Sequence, residues 1–189
     1  MAKINSRSTV LASVFTALFA AIIAVSGIIS VPLPGGVPIV LQNMMPIVAG
    51  ALLGGIQGAG ATGLWLVAGM LGLPVFSGGS GGIAHIAGPT GGFIIGYFFA
   101  SLGAGFIIGK PSTEQKTPVI RIVIGCLVGF IIIYVLGVVH FMYVTGESLA
   151  VTIAACVTPF LVGCAIKCVL AVVLAITLRP VMARYLTAN

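Results

Sequence analysis

The sequence predicts an all-α integral membrane protein with six transmembrane helices, and two observations indicate this fold class. Sixty per cent of the 189 residues are hydrophobic and only 5% are charged, whereas soluble domains carry about 25% charged residues. The mean hydropathy is +1.30, and a chain of this length accommodates about six spans of ~20 residues. We therefore expect residues 1–189 to form a single membrane domain embedded in the lipid bilayer.

The basic residues predict how this domain is oriented. All except Lys167 fall near the N-terminus, in one internal connection and near the C-terminus: Lys3 and Arg7, then Lys110, Lys116 and Arg121, then Arg179 and Arg184. Under the positive-inside rule these three regions face the cytoplasm, which agrees with six spans and two cytoplasmic termini. The net charge of +6 therefore reflects membrane orientation and does not indicate a nucleic-acid partner.

The apolar runs predict the individual helices. We expect them at about 9–30, 44–59, 62–72, 91–109, 119–144 and 159–179. The first apolar run is longer than the 7–15-residue core of a secretory signal, so it is interpreted as a retained helix. A glycine-rich tight turn near 58–63 is expected to separate the second helix from the third.

The connections follow from turn and capping residues. The stretch 31–43 contains three prolines and no charge, so it is expected outside the membrane as a non-helical connection. Thr90 is expected to cap the fourth helix. The connection 145–157 is expected to be at least partly helical, with Thr158 and Pro159 beginning the sixth helix.

The residues available for chemistry exclude several classes of site. The chain has no Asp, and its only acidic residues are Glu114 and Glu147, so paired-carboxylate catalysis is nearly excluded. The four cysteines lack CxxC spacing and are interpreted as small buried hydrophobic residues, so no metal site and no cofactor are expected. No GxxxxGK[ST] motif occurs, so any use of ATP must come from partner proteins.

Two features indicate a binding site in the outer half. Residues 72–96 are rich in glycine, and an irregular segment at a membrane survives only in water, buried in protein or lining a cavity. Lys167 lies about 12 Å inside the sixth helix at 1.5 Å per residue, where a charge is costly. It either snorkels to an interface or binds an anion such as a substrate carboxylate.

Taken together, VPIVLQNM at 37–44, GPTGG at 88–92 and the Lys167 helix closely resemble the BioY family over about residues 8–180. These proteins are the biotin-binding S components of energy-coupling-factor (ECF) transporters. The resemblance implies a non-enzymatic, multi-pass subunit of a prokaryotic plasma membrane, with a loop-capped vitamin pocket facing outside. It also implies a transmembrane coupling protein and two cytoplasmic ATPases as partners. An alanine face on the first helix would dock to them, formed by Ala17, Ala20, Ala21 and Ala24.

Biotin carries a carboxylate, a ureido ring and an apolar bicycle, and the chain offers a match for each. Lys167 suits the carboxylate because an ammonium is a compact charge with three donors. The polar candidates for the ureido ring are Gln42, Asn43, Ser77, Ser80 and Thr90. The candidates for the apolar wall, each of which could instead be core packing, are Trp65, Phe76 and Tyr97. His85 is either a polar group of the pocket or a solvated residue.

One position departs from the family pattern. The family usually has Asp three residues before this lysine, whereas this chain has Cys164. A thiol is a weak hydrogen-bond acceptor, so another carboxylate such as lipoate, which lacks a ureido ring, is an alternative ligand. The connections 31–42 and 73–89 are the candidates for a gate over the pocket.

A remote alternative from another class is an intramembrane serine protease. The sequence GGSG at 78–81 fits the G-x-S-G pattern of rhomboids, with Ser80 as nucleophile and His140 as base. The pattern is short in a glycine-rich chain, and Ser80 is predicted to lie within a loop.

Overall fold

The computed structural model of the protein describes residues 6–28, 30–31 and 37–186, and these residues are mainly α-helical. The helices are α1 (Ser6–Ser26), α2 (Met45–Leu53), α3 (Gly55–Met70), α4 (Ile83–Ala87), α5 (Gly91–Ile108), α6 (Val119–Thr145), α7 (Leu149–Cys156) and α8 (Leu161–Leu186). Single 3₁₀ turns occur at Gln42–Met44, Ser77–Gly79 and Thr158–Phe160. Two short strands, β1 (Ser30–Val31) and β2 (Ile39–Val40), pair antiparallel and hold together the connection after α1.

Within the described residues, 3 helical stretches are long and apolar enough to cross a membrane. They are Gly91–Ile108, Val119–Thr145 and Leu149–Leu186, and the last of these combines α7 with α8. Val10–Ser26 and Gln42–Leu53 are apolar but shorter. The exposed large side chains along α6 and α8 are mainly Val, Ile and Leu, as expected of surfaces that face lipid.

Contacts between distant residues define one end of the bundle, here called the basic end. The Gln57 side chain at the start of α3 donates to the Ala12 carbonyl of α1 at 2.8 Å. The Phe15 ring of α1 lies 6.0 Å from the Tyr185 ring near the end of α8. Arg179 reaches the carbonyls of Gly109 and Lys110, which follow α5. The basic end therefore brings together the N-terminal half of α1, the C-terminal end of α8, the α2–α3 turn and the α5–α6 connection.

The predicted turn at 58–63 is wrong, because these residues belong to α3. The chain turns instead at Gly54, whose φ of 87° is in the left-handed region that favours glycine. A Cβ on Gly58 would lie 2.5 Å from the Gly50 Cα, and one on Gly105 would lie 2.5 Å from the Gly55 Cα. The glycines of α2, α3 and α5 thus permit close helix crossings, which is their common use in membrane proteins.

Two other predicted helix boundaries need correction. Thr90 occupies the N-cap position of α5, but its side chain makes no capping hydrogen bond. The last helix continues through Pro180 to Leu186 instead of ending near 179. Proline costs a helix one internal hydrogen bond, and the contacts of Arg179 and Tyr185 with neighbouring helices hold the chain in place around that turn.

The connection between α6 and α8 is helical, as predicted. α7 spans Leu149–Cys156, and the Ser148 hydroxyl caps it by accepting from the Val151 amide. Pro159 then lies in the 3₁₀ turn that leads into α8.

Candidate ligand-binding cleft

A cleft opens at the end of the bundle opposite the basic end, which we call the cleft end. Its cavity volume is about 40 Å³, and the space in and above it is about 480 Å³ when the part that is open to the surroundings is counted. Its lining comes from the β2 segment, the 3₁₀ turns before α2 and α8, the loop before α5 and the helices α5, α6 and α7: Val37, Pro38, Val40, Asn43, Ser77, Thr90, Phe93, Ile94, Tyr97, Ile133, Tyr134, Cys156 and Phe160. An apolar cleft with a few polar groups is typical of small-molecule sites.

The Lys167 ammonium lies at the margin of this cleft. It donates to the Val40 carbonyl at 2.6 Å and to the Asn43 side-chain oxygen at 3.1 Å, and both of those residues line the cleft. An ammonium has three donors, so these two bonds leave one without an acceptor among residues 6–28, 30–31 and 37–186. Glu114 and Glu147 are both exposed, and the chain has no other acidic residue. The cleft therefore presents a positive charge that is solvated by neutral oxygens.

Cys164 lies one helical turn before Lys167 and is half-buried. Its thiol lies beside the hydroxyl of Tyr134, which lines the cleft from α6. The position that the resemblance assigns to an acceptor is thus held by a neutral thiol, so this wall adds no negative charge next to Lys167.

The predicted site residues separate into two layers. Asn43, Ser77, Thr90 and Tyr97 line the cleft. Gln42, Trp65 and Phe76 do not, and each is only 1% exposed.

This second layer supports the cleft from behind. The Gln42 amide donates to the Ile23 carbonyl at 2.8 Å and the Val75 carbonyl at 2.9 Å. The Trp65 indole also donates to Val75, at 2.9 Å. These bonds join α1, the 3₁₀ turn before α2, α3 and the loop after it.

Ser80 and His85 are the remaining predicted polar groups, and both lie in the loop before α5. The Ser80 hydroxyl donates to the Ser77 carbonyl at 2.8 Å and lies 3.3 Å from the Nε2 atom of His85. His85 is half-exposed, and its partial burial lowers its pKa. Neither residue lines the cleft. Of the two candidate gates, 73–89 is fully described, whereas residues 32–36 of the other lie outside the described residues.

Sequence reasoning missed most of the apolar lining and Tyr134. Val37, Pro38 and Val40 belong to the VPIVLQN segment that indicated the site, so that signal was present. Phe93, Ile133 and their neighbours stand on uniformly apolar helices, where no local pattern distinguishes a lining residue from a core residue.

The chain matches the BioY family over residues 2–184. It belongs to the BioY family.

Relatives and a solved structure agree with this assignment. The chain is 38% identical over 159 residues to the "Probable biotin transporter BioY" of Pyrococcus horikoshii, covering 84% of this chain and 90% of the relative. It is 34% identical over 179 residues to the "Biotin transporter BioY" of Rhizobium etli, covering 91% and 93%. The crystal structure at 2.1 Å of the S-component for biotin from an ECF-type ABC transporter superposes with a TM-score of 0.83, at 30% identity, covering 93% of this chain and 94% of that one.

The protease alternative has no support in this BioY protein. The relatives are named as transporters and not as enzymes. His140 does not pair with Ser80, because its Nε2 atom bonds the Gly88 carbonyl at 3.0 Å. The Ser80 hydroxyl hydrogen is directed to the Ser77 carbonyl.

The four alanines predicted for docking differ in burial on the BioY helix α1. Ala17 and Ala21 are exposed, whereas Ala20 is 8% exposed and belongs to the core, and Ala24 packs against that core. At 100° per residue the four positions fall within about 100° of one another around the helix, so they share one face, of which one edge is exposed and the other packs on the core. Its role in docking stays a prediction. The exposed pair, Ala17 and Ala21, remains available to a partner.

Proposed function

We propose that this BioY protein is the substrate-specific S component of an ECF transporter and that it captures biotin in the cleft. The relatives are named as biotin transporters, and the superposed structure is an S-component for biotin. The single observation that carries the proposal is the Lys167 ammonium beside an apolar cleft, which among the described residues has two neutral acceptors and no acidic partner.

In this proposal the biotin carboxylate binds Lys167. A charge-assisted hydrogen bond is roughly twice as strong as a neutral one, and a partly desolvated ammonium gains from an incoming anion. With Cys164 instead of an aspartate, no negative charge one turn away competes for Lys167 or repels the ligand.

The rest of the cleft suits the rest of biotin. The ureido ring, with two donors and one acceptor, is assigned to Asn43, Ser77 and Thr90, which all line the cleft. The apolar bicycle is assigned to the aromatic wall formed by Phe93 and Tyr97. Gln42, Ser80, Trp65 and Phe76 act from behind by fixing the backbone of the lining.

We infer six passes through a prokaryotic plasma membrane, made by α1, α2, α3, α5, α6 and α8. α2 and α3 are short for independent spans, and this proposal places them as two passes joined at Gly54. The basic end carries Lys110, Arg121 and Arg179, so the positive-inside rule assigns it to the cytoplasm and the cleft to the outside. Both chain termini are then cytoplasmic.

The proposed partners are a transmembrane coupling protein and two cytoplasmic ATPases. The exposed small residues Ala17 and Ala21 of α1 would allow a partner helix to approach closely, as small-xxx-small pairs do. The match to an S-component supports these partners, because an S component supplies binding while ATP is hydrolysed elsewhere in the assembly.

Isothermal titration of the purified protein with biotin and with lipoate tests the proposal. We expect biotin to bind, and Lys167→Met, which keeps the length of the side chain, to weaken binding by more than about 100-fold because it removes a charged donor. Lys116→Met is the matched control, because Lys116 is exposed on the α5–α6 connection. If the protein bound lipoate but not biotin, the substrate assignment would change to lipoate. Unchanged biotin binding in Lys167→Met would overturn the assigned site.

A further inference from the structure

His85 lies at the centre of a chain of hydrogen bonds between two cleft-lining residues. On one side the Ser80 hydroxyl joins the His85 Nε2 atom, at 3.3 Å, to the Ser77 carbonyl, at 2.8 Å. On the other side the same Nε2 atom lies 3.5 Å from the Thr90 hydroxyl. Ser77 and Thr90 line the cleft from opposite ends of the loop before α5, whereas His85 itself does not line it.

The number of hydrogens available to these hydrogen-bonded groups determines which nitrogen of the His85 imidazole is protonated. The Ser80 hydroxyl uses its only hydrogen on the Ser77 carbonyl, so it can only accept at Nε2. His85 must therefore carry a hydrogen on Nε2, and this single hydrogen is shared between the Ser80 hydroxyl oxygen at 3.3 Å and, more weakly, the Thr90 hydroxyl oxygen at 3.5 Å. Its burial lowers its pKa, which favours the neutral Nε2–H tautomer over the cation near neutral pH.

The ring of His85 also rests on an aromatic row. It stacks on Phe76 with centroids 5.7 Å apart and an interplanar angle of 25°. Phe76 packs edge-on against Trp65 at 5.1 Å, and Trp65 lies 5.7 Å from Tyr97, which lines the cleft. The row is rigid because Trp65 and Phe76 are each only 1% exposed.

The backbone anchors the two parts of the loop to other helices separately, and α4 joins them through the His85 amide on the Gly82 carbonyl and the Gly88 amide on the Ala84 carbonyl, both at 3.1 Å. The first part of the loop is anchored by two amide bonds, from Gly78 to the Gly27 carbonyl at 2.9 Å and from Gly82 to the Gly69 carbonyl at 2.7 Å. The last part is anchored through Gly88, whose carbonyl bonds His140 of α6 at 3.0 Å. His85 lies between these two anchored parts and bonds across both.

We propose that His85 is a positioning residue that fastens the Ser77 and Thr90 sides of the loop together and thereby sets how long ligand stays in the cleft. This proposal rests on the proposed function as regards the ligand. The role predicts a faster release of biotin when the bonds are lost, with little change in its rate of entry.

Two substitutions separate the bonds from the stacking. His85→Phe keeps a ring on Phe76 and loses both hydrogen bonds, whereas His85→Gln loses the ring and keeps an amide donor. Ile83→Ala is the control, because Ile83 is 69% exposed on the same short helix. Stopped-flow measurement of biotin association and dissociation is made on all three variants and on the wild type, together with the melting temperature.

We expect His85→Phe to raise the dissociation rate roughly tenfold, with the association rate within about twofold of wild type. His85→Gln should recover part of the loss, and Ile83→Ala should match wild type. A dissociation rate for His85→Phe within twofold of wild type would overturn the proposal. So would equal losses in both variants accompanied by a lower melting temperature, since that is the result of a purely structural role.

Hydrogen–deuterium exchange of the ligand-free protein keeps the test independent of biotin. The Phe76 amide is bonded to the Ser80 carbonyl at 2.9 Å, and the Gly79 amide to the Phe76 carbonyl at 3.1 Å. If His85 fastens the loop, His85→Phe should speed exchange at these two amides and leave α6 unchanged. A wild type that binds no biotin would sink the proposed function alone, and unaltered exchange in His85→Phe would sink the positioning role.

Discussion

Lys167 and Arg179 both lie on α8 and are both cations in apolar surroundings, but they differ in how fully their donors are hydrogen-bonded. Each is a cation in an apolar segment of a chain that contains no Asp and only two Glu. Arg179, at the basic end, is 5% exposed and donates to the carbonyls of Ala51, Gly109 and Lys110 and to the Thr117 hydroxyl. Lys167, at the cleft end, has two acceptors in the part of the chain that the structure describes.

The difference shows how structure and function divide the charges of this protein. Arg179 binds carbonyls at the C-terminal ends of α2 and α5, where a helix leaves acceptors unpaired and its dipole favours a cation. Its donors are used in holding helices together. In the proposed function the third donor of Lys167 binds the ligand carboxylate, so the charge that is costly to place there is stabilised when an anion binds.

Replacing Arg179 should have the largest effect on the protein. Arg179→Met leaves the Ala51, Gly109 and Lys110 carbonyls without their partner, and each buried unpaired group costs about 1–3 kcal/mol. We expect a loss of several kcal/mol, visible as a large fall in the yield of monodisperse protein and in its melting temperature in detergent. Biotin affinity per folded molecule should stay near wild type.

Arg184→Met is the matched control for this prediction, because Arg184 is an exposed arginine on the same helix. Its melting temperature should not change. If Arg179→Met were as stable as this control, the carbonyl contacts at the basic end would not hold α2, α5 and α8 together.

The outline of the fold could be predicted from the sequence because lipid imposes simple rules. Long apolar runs indicated the helices, and the basic residues indicated that the α5–α6 connection and α8 share an end. The prediction of a turn at 58–63 was wrong because glycine can either break a helix or allow two helices to pack closely. It breaks helices in water, but in this bundle Gly58 lets α3 cross Gly50 of α2, and only the tertiary structure distinguishes the two.

Only the part of the site formed by polar residues could be predicted from the sequence, because polar residues are rare in these apolar segments. Lys167 and Asn43 stand out in apolar surroundings, and the structure brings them within 3.1 Å of each other. Trp65 and Phe76 lie one layer behind the lining, while Phe93 and Tyr134 lie in it. Aromatic residues on apolar helices look alike in sequence, so their distance from the cleft depends on how the helices pack.

Removing the side-chain acceptor of Lys167 should mainly affect binding. Asn43→Leu takes away the oxygen at 3.1 Å while keeping a similar volume, so the ammonium loses the bond that helps to fix it at the cleft. We expect biotin affinity to fall by roughly tenfold, since a hydrogen bond to a charged group is worth ~1.5–3 kcal/mol. Isothermal titration measures the affinity, and the melting temperature should change little, because Lys167 and Asn43 are both near the open cleft. Unchanged affinity would remove Asn43 from the binding machinery.

Removing the side-chain acceptor of Arg179 should affect stability and not biotin binding. We expect this to be the smallest of the predicted effects. The Thr117 hydroxyl accepts from Arg179 at 2.7 Å, but it is one of four acceptors, so the guanidinium keeps three carbonyl partners after Thr117→Val. A hydrogen bond to a charged group is worth ~1.5–3 kcal/mol, and we expect a loss no larger than the lower end of this range because three partners remain, seen as a modest fall in melting temperature. Biotin affinity should equal that of wild type, because the substitution lies at the other end of the bundle. Asn43→Leu and Thr117→Val each remove one side-chain acceptor, from Lys167 and from Arg179 respectively. Only Asn43→Leu should lower the affinity for biotin. If Thr117→Val weakened biotin binding as much as Asn43→Leu, the two ends of α8 would be coupled, and the division between a structural and a functional cation would have to be abandoned.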